Sequence, residues 1–494
     1  MTHYYRSKVI GFYVAKTPSI VACSYETVKE ALFKPEFQGR MDNIVTQIRS
    51  NNKRLGIMFT EPDLWIEQKR FMLRHLRDFG FARRYQPNEE FMKEVVHGMV
   101  TLLQGECTLK DKCSGIARMG TVSEPTSLTC ISPPRIREKS PLQMSSYNYF
   151  QTHSLTKPEL VLTRHRLGEH YSSSELSKVR QMSDSAACFA RSVDPIGGAM
   201  VNTPWVRHLA PDMVGFNGVK RSCPLIEDFV KETIERNKAT YHEDDMRGFI
   251  DVFLKKMNEN NNSDKPSTFT GKCRVKLLNS ARTPIKLNIL SPGDQLLMIG
   301  IDMVFPTAST LPSMITFTVL LLTQHPEIQE KVQNEIDTVV GRHRLPSLDD
   351  RANSAIIGRQ RQRPGTMVVP NLWAAHMDPE FWGDPENFRP DRFLDERGLK
   401  KDLTLAFGGG QIIVSNRICG PTVTDSLNLN HGYGKRVCAG ETFSRHLTFL
   451  FLSGLLQNFT FAAPEDSPLP DLDDLVNGIT LSVKDFWIKV VPRD

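Results

Sequence analysis

The stretch GYGKRVCAGETFSRHLTFLFL, residues 432–452, decides how the chain is read. From Glu441 onward, Phe443, Leu447, Leu450 and Phe451 recur on one face of a helix with 3.6 residues per turn. The spacing predicts an amphipathic helix over Glu441 to Leu456. Cys438 stands just before its first turn. A helix N-terminus carries unpaired amide protons and a partial positive charge. Both favour a thiolate, the form of cysteine that binds metal or attacks an electrophile. Gly434 and Gly440 flank the cysteine where a flat ligand needs close backbone approach, and Arg436 offers a forked donor to a carboxylate. On spacing alone, a buried structural cysteine at a helix start is the alternative.

Four residues of this stretch, Gly434, Arg436, Cys438 and Gly440, fill positions of the pattern F-x-x-G-x-R-x-C-x-G, with His431 where Phe is required. Upstream stands AFGGG, residues 406–410. With 411–434 removed, the join reads FGGGKRVCAGETFSRH, a full match with Phe407 and Gly410 in place. This resembles the haem loop of the cytochrome P450 family, microsomal type, of the insect and animal xenobiotic–steroid clan, split by an insertion. Cys419, in NRICGP, has Arg417 two residues before it, but Pro421 stands where the loop needs Gly and no helix pattern follows.

Other marks of the family follow in order. LWIEQKRFMLRHLRDFGF (64–81) is similar to the helix whose W-x-x-x-R pair holds a haem propionate. Trp65 matches, and Lys69, with Arg70 beside it, takes the basic position. Lysine keeps the charge and loses the fork. HMDPEFWGDPENFRPDRF (376–393) is similar to the family's F-x-P-E-R-F segment through Phe388, Pro390, Arg392 and Phe393, with Asp391 for Glu. The E-x-x-R pair that partners that arginine in the family is absent after LPSLDD (345–350); the only E-x-x-R upstream of the 376–393 segment is Glu67 to Arg70. Arg392 is therefore expected to lie unpaired, and the chain to fold poorly. In the long apolar stretch, PTAST (306–310) stands where the family has A-G-x-[DE]-T. Thr310 keeps the hydroxyl, Ser309 holds the acid position, and Pro306 reproduces a kink by removing an amide donor.

Away from these motifs the sequence is less informative. The chain has 494 residues, with 62 basic against 56 acidic side chains and a net charge of +6. No basic stripe with interleaved aromatics marks a nucleic-acid site; the mild excess suits an anionic membrane face or an acidic protein. Nine scattered cysteines without C-x-x-C spacing read as a reduced, cytosol-facing chain. Residues 1–17 contain no apolar run long enough for a signal or an anchor. The apolar run 296–323, with Asp302, Pro306 and Pro312 inside it, is expected to be a buried core helix, the rival being a single membrane span. SYETVKEALF (24–33) predicts a capped helix, and HPEIQEKVQNEIDTVVG (325–341) predicts one with Pro326 in its first turn and Gly341 as its stop. Residues 105–190 and 261–290 read as irregular.

The resemblance implies a mainly α fold with a small β region, an incomplete cytochrome P450 fold. It would be one domain over 1–494, interrupted by insertions at about 105–190, 271–290 and 411–434. It implies a monooxygenase that inserts one oxygen atom of O2 into a small apolar substrate. The cofactor would be haem b with Cys438 as axial ligand, whose thiolate favours O–O cleavage. Arg436, Trp65, Lys69 and Arg70 would bind the propionate side, Phe407, Gly410, Gly434 and Gly440 would shape the loop, and Thr310 and Ser309 would serve the proton. Electrons would come from an NADPH-cytochrome P450 reductase at the cytosolic face of the endoplasmic reticulum. The alternative is a catalytically inactive chain of the same descent, the product of an aberrant gene model or a pseudogene.

Overall fold

A computed structural model describes residues 7–14, 17–34, 37, 40, 43–53, 55–60, 62–79, 84–108, 115–119, 176–193, 198–261, 267–269, 274–276, 287–289, 291–351, 354–355, 367–389, 392, 400–401, 405, 438–465, 468–471, 475–476, 478–479, 482–484 and 486–493. It is mainly helical with small sheets. The chain divides into two compact units, Met1–Met41 with Arg351–Glu441, and Asp42–Asp350 with Thr442–Asp494.

In the first unit, β1 (Val9–Val14) and β2 (Thr17–Ala22) form an antiparallel pair, and β7 (Met367–Pro370) lies parallel to β2 with Val368 opposite Ile20. Helix α1 (Tyr25–Phe33) follows at once. Its cap is Ser24, whose hydroxyl accepts from Thr27 N at 3.3 Å while Thr27 Oγ1 accepts from Ser24 N at 3.1 Å. The predicted start is thus right, with Thr27 closing the reciprocal pair. Ala22, Tyr25, Val28, Ala375 and Leu405 make a small core, covered by two short helices, α12 (Leu372–His376) and α13 (Pro379–Trp382). Tyr25 stacks on Phe381 with ring centroids 3.5 Å apart, and the Asp378 carboxylate accepts from both Tyr25 N (2.8 Å) and Glu380 N (3.1 Å). A short parallel pair, β6 (Ser354–Ala355) with β8 (Lys400–Lys401), completes the unit.

The expectation that Arg392 is unpaired is overturned here. Its guanidinium donates to the carbonyls of Trp382 (3.2 Å), Asp384 (2.8 Å) and Asn387 (2.8 Å) and reaches Asp384 Oδ1 at 3.2 Å. The turn from 382 to 389 supplies acceptors of its own, so no distant carboxylate is needed to satisfy this cation. The physical ground for expecting a poorly folding chain goes with it.

The second unit is built around α10 (Pro292–Gln324), capped by Ser291 and carrying Pro306 and Pro312 in its interior. By length and composition it could cross a membrane, but it packs on α5 (Leu176–Ser192), α8 (Phe216–Ala239), α11 (Pro326–Val339) and β9 (Phe459–Ala462). Those contacts are the surroundings of a core helix, and its charge at Asp302 is paired inside the protein. Before it come α2 (Ile44–Arg49), α3 (Pro62–Asp78), α4 (Gln86–Thr108), α6 (Gly198–Asn202), α7 (Val206–Leu209) and α9 (Phe249–Asn261). Helix α14 (Glu441–Asn458) buries Phe443, Leu447, Leu450 and Phe451, the predicted face.

Helix α5 lies partly in the stretch expected to be irregular. Its buried face is Val179, Met182, Ser183, Ala186, Phe189 and Ala190. Small and polar residues dilute the apolar period there. Ser185 hides its polarity by donating to Gln181 O at 2.7 Å. Likewise β4 (Arg274–Lys276) and β5 (Leu287–Ile289) pair antiparallel inside 261–290. The remaining sheet runs β3 (Gly115–Met119), β10 (Phe486–Pro492), β9. On the outer side of β9, Gln329 accepts from Phe461 N at 2.7 Å and donates to Phe461 O at 2.9 Å, and Gln333 donates to Phe459 O at 3.0 Å.

Candidate cofactor and proton-handling residues

Trp65 and Lys69 are one turn apart on α3, so they share a face. Both are buried, and the Lys69 ammonium lies 5.0 Å from the Trp65 ring centroid, at cation–π range. Arg70, next in sequence, points to solvent. The direction of α3 is fixed from another side. Glu67 accepts from Ser267 Oγ (2.9 Å), Thr268 N (3.0 Å) and Thr268 Oγ1 (2.6 Å), and Gln68 Nε2 donates to Thr268 Oγ1 at 2.8 Å. Phe71 packs against Phe249, Phe253 and Phe269. Glu67 is therefore a structural clamp of α3.

Thr310 donates to Pro306 O at 2.5 Å. This bond alone distinguishes nothing, because Thr307, Thr316, Thr318 and Thr323 each bond the carbonyl four residues back in the same way. Exposure does: Thr307, Thr316 and Thr323 are buried and Thr318 is half-buried, whereas Thr310 is open to solvent. With its proton committed to Pro306 O, the Thr310 oxygen is an acceptor towards anything else. Pro306 and Pro312 lack the N–H that would bond the carbonyls of Asp302 and Ala308 within the helix. Ser309 follows the helix backbone, and its side chain lies outside the described residues.

Cys438 is exposed, which excludes the buried structural cysteine as its description. Gly440 N donates to its sulfur at 3.4 Å, and α14 begins at Glu441. Phe407, Gly410, Gly434, Arg436 and Cys419 lie outside the described residues, as does all of 411–434. Cys438 and Gly440 belong to the first unit; Trp65, Lys69, Arg70 and Thr310 belong to the second.

The residues fit a haem as far as their chemistry goes. Among the described residues no group of three or more His, Cys, Asp or Glu could hold a metal ion. An exposed sulfur that faces an amide proton suits a thiolate donor to haem iron. Sequence reasoning did not find the partners of Asp302 or the buried Glu89; each depends on residues distant in sequence.

Comparison with known proteins agrees with this chemistry. The family model for cytochrome P450 matches residues 2–122, 293–356 and 362–490, well over half of the chain. A farnesoate epoxidase from Bombyx mori is 24% identical, over 98% of this chain and 86% of its own length. Probable cytochrome P450 303a1 of Drosophila melanogaster is 25% identical, over 98% and 86%. Human cytochrome P450 2C8 is 25% identical, over 98% and 88%. Motif, helical fold and full-length similarity converge, and the chain belongs to the cytochrome P450 family.

Proposed function

We propose that this protein is a haem-thiolate monooxygenase with Cys438 as the axial ligand, inserting one oxygen atom of O2 into a small apolar substrate. Family membership implies the class of chemistry. The observation that carries the assignment to this chain is the exposed Cys438 sulfur at the head of α14, with the Gly440 amide directed at it. Haem bound there supplies the activation of dioxygen. The rest falls to side chains. By the family's motif order, Trp65, Lys69 and Arg436 would hold the propionate side, Arg70 would add positive charge, and Phe407, Gly410, Gly434 and Gly440 would belong to the haem loop. Thr310 accepts a proton-bearing water or ligand at the exposed middle of α10, with Ser309 beside it.

Two surface features support a proposed partner and location. Arg70, Arg74 and Arg77 form an exposed basic stripe on α3, suited to an acidic flavoprotein such as an NADPH-dependent reductase. Trp205, Leu209 and Met213 are 62%, 74% and 90% exposed, with Arg207 and His208 between them. An apolar edge that carries the cation of Arg207 suits the cytosolic surface of the endoplasmic reticulum. The names of the relatives, an epoxidase acting on farnesoate among them, are in keeping with an apolar substrate. The rival reading, an inactive chain, draws on Ser309 where the family has an acid and on the split haem loop.

The test is the reduced carbonyl spectrum of the haem-loaded protein. Cys438→Ala should abolish the thiolate-type band, and Cys419→Ala should leave it intact. The reverse result would overturn the ligand assignment. A thiolate band with no oxygen insertion for any apolar substrate would favour the inactive reading.

A further inference from the structure

Two consecutive residues of α3, Glu67 and Gln68, direct their side chains at one residue far away in sequence, Thr268. The Thr268 hydroxyl donates to Glu67 Oε2 at 2.6 Å and accepts from Gln68 Nε2 at 2.8 Å, and the Thr268 amide donates to the same carboxylate oxygen at 3.0 Å. Amide, hydroxyl and carboxylate form a chain in which each donor polarises the next. Gln68 is fully buried, and its Oε1 has no partner among the described residues. A turned amide would set that oxygen against the Thr268 carbonyl, now 3.4 Å from Nε2, and would take from Glu67 the hydroxyl proton it receives. The orientation that orphans one acceptor is thus the one that serves the chain to Glu67. Ser267 braces the segment from the other side: its hydroxyl donates to Glu67 Oε1 at 2.9 Å and accepts from Asn260 of α9 at 3.1 Å. Phe269 is buried against Phe71 and Phe253.

The clamp bears on one flank of α3. At about 100° per residue, Glu67, Gln68 and Phe71 lie to one side of the buried face made by Trp65, Lys69, Met72 and Leu76. A helix held at its flank cannot roll about its axis, and roll is the motion that carries Lys69 sideways. The Lys69 ammonium is a single point of charge on a flexible stem, with no planar fork to absorb a misplacement. We propose that Thr268 is a positioning residue for the propionate side: through Glu67 and Gln68 it fixes the roll of α3, and so where the Lys69 ammonium stands. The proposal rests on the haem-thiolate reading, with Lys69 as a cation for the propionates.

Haem dimethyl ester keeps the macrocycle and the iron but carries no propionate charge, so comparing it with haem isolates what the cation contributes. Both are titrated into the haem-free full chain and followed by Soret absorbance. Lys69→Met should weaken haem about tenfold, the loss of one charge-assisted bond, and leave the ester within about twofold. Thr268→Val, which removes the hydroxyl and stays close to the side chain's shape, should do the same. Thr268→Ser restores the hydroxyl and should hold both probes within about twofold of wild type. Added to Lys69→Met, Thr268→Val should weaken haem by no more than about a further twofold, because the two act through one group. The proposal is overturned if Lys69→Met or Thr268→Val weakens haem and ester alike or changes neither. It is overturned also if Thr268→Val costs its full loss on top of Lys69→Met. Should Thr268→Val not fold, Glu67→Gln is carried through the same titrations against the same criteria. Wild-type protein that takes up no haem, or whose thiolate-type carbonyl band survives Cys438→Ala, defeats the haem-thiolate reading and this proposal with it. Haem held through Cys438 with no haem-specific loss in Thr268→Val sinks the positioning role alone.

Discussion

Glu89 has no solvent contact and answers to three donors: Arg84 Nε at 2.7 Å, Lys93 Nζ at 2.9 Å and Leu348 N at 3.0 Å. Burial opposes its ionisation, but Arg84, the Leu348 amide and Lys93 together outweigh that and hold the carboxyl below its ordinary value. Asp350, held by Arg344 and the Ser347 amide, is pushed down to about 2. Both groups are depressed relative to the unfolded chain. Their stabilisation is complete above the ordinary carboxylate range, about pH 4, and is lost as pH falls towards 2. Urea unfolding should therefore show a midpoint that is flat from pH 7 to about 5 and drops steeply below about 4. Glu89→Gln, which strands Arg84 and Lys93 beside a neutral amide, should cost roughly 3 kcal/mol at pH 7 and flatten that drop. His376 gives the first unit its own threshold. Burial pushes its imidazole below the ordinary value; Nε2 accepts from Leu405 N at 3.1 Å, and Nδ1 bonds Leu372 O at 2.7 Å. The ring is needed neutral, so its contribution is full above about pH 6.5 and fades as pH falls through the lowered value. The protection factor of the Leu405 amide should fall as pH drops below the ordinary imidazole range in wild type, before any change at Leu348. Cys438 was legible because a thiol at a helix start has a local signature. The Leu348 amide on Glu89 and the Leu405 amide on His376 were not, since each lies far from its acceptor in sequence.

Helix α10 carries two prolines in its interior, each removing a backbone donor. A proline there costs about 3 kcal/mol in an isolated helix. Pro312→Ala should raise the unfolding free energy by up to roughly 3 kcal/mol; a loss of stability would show that the packing of the buried proline ring outweighs the donor it removes. Elements with a clean period were read correctly: α11 begins with Pro326 at its first turn, and Gly341, at φ +78°, follows its end. The misses share one cause. The buried face of α5 is half serine and alanine, and β4 and β5 are three residues each, too short for a period to emerge. The proposed insertion 411–434 can be tested directly. Lengthening a loop from about 4 to about 28 residues costs only roughly 2 kcal/mol, so the segment need not unfold its unit. Its deletion should raise haem content. A fall would mark the segment as part of the pocket.

Across the whole protein, the surplus of six positive charges is not spread evenly in effect. Most described acid–base pairs cancel locally, whereas Arg70, Arg74 and Arg77 on α3 stand exposed together. The apolar edge at Trp205, Leu209 and Met213 adds a second kind of contact. Binding to vesicles containing anionic lipid should weaken several-fold when salt is raised from about 0.05 to about 0.5 M, as the Debye length shrinks. Trp205→Ala with Met213→Ala should reduce the binding that survives at high salt. Salt-independent binding unaffected by that pair would place the contact elsewhere. The fold class was legible overall because haem-loop, α3 and α10 motifs occur in family order; the division into two units was not, because it depends on which distant segments pack together. The glutamines of α11 carry one more consequence. Gln329 and Gln333 occupy the backbone groups on the outer edge of β9, as a neighbouring strand would. A side-chain amide is a peptide group on a tether, so the helix ends the sheet by impersonating its next member. No foreign strand finds an open template there, and a chain with Leu at both positions would trade a closed border for a nucleus of fibrous self-association.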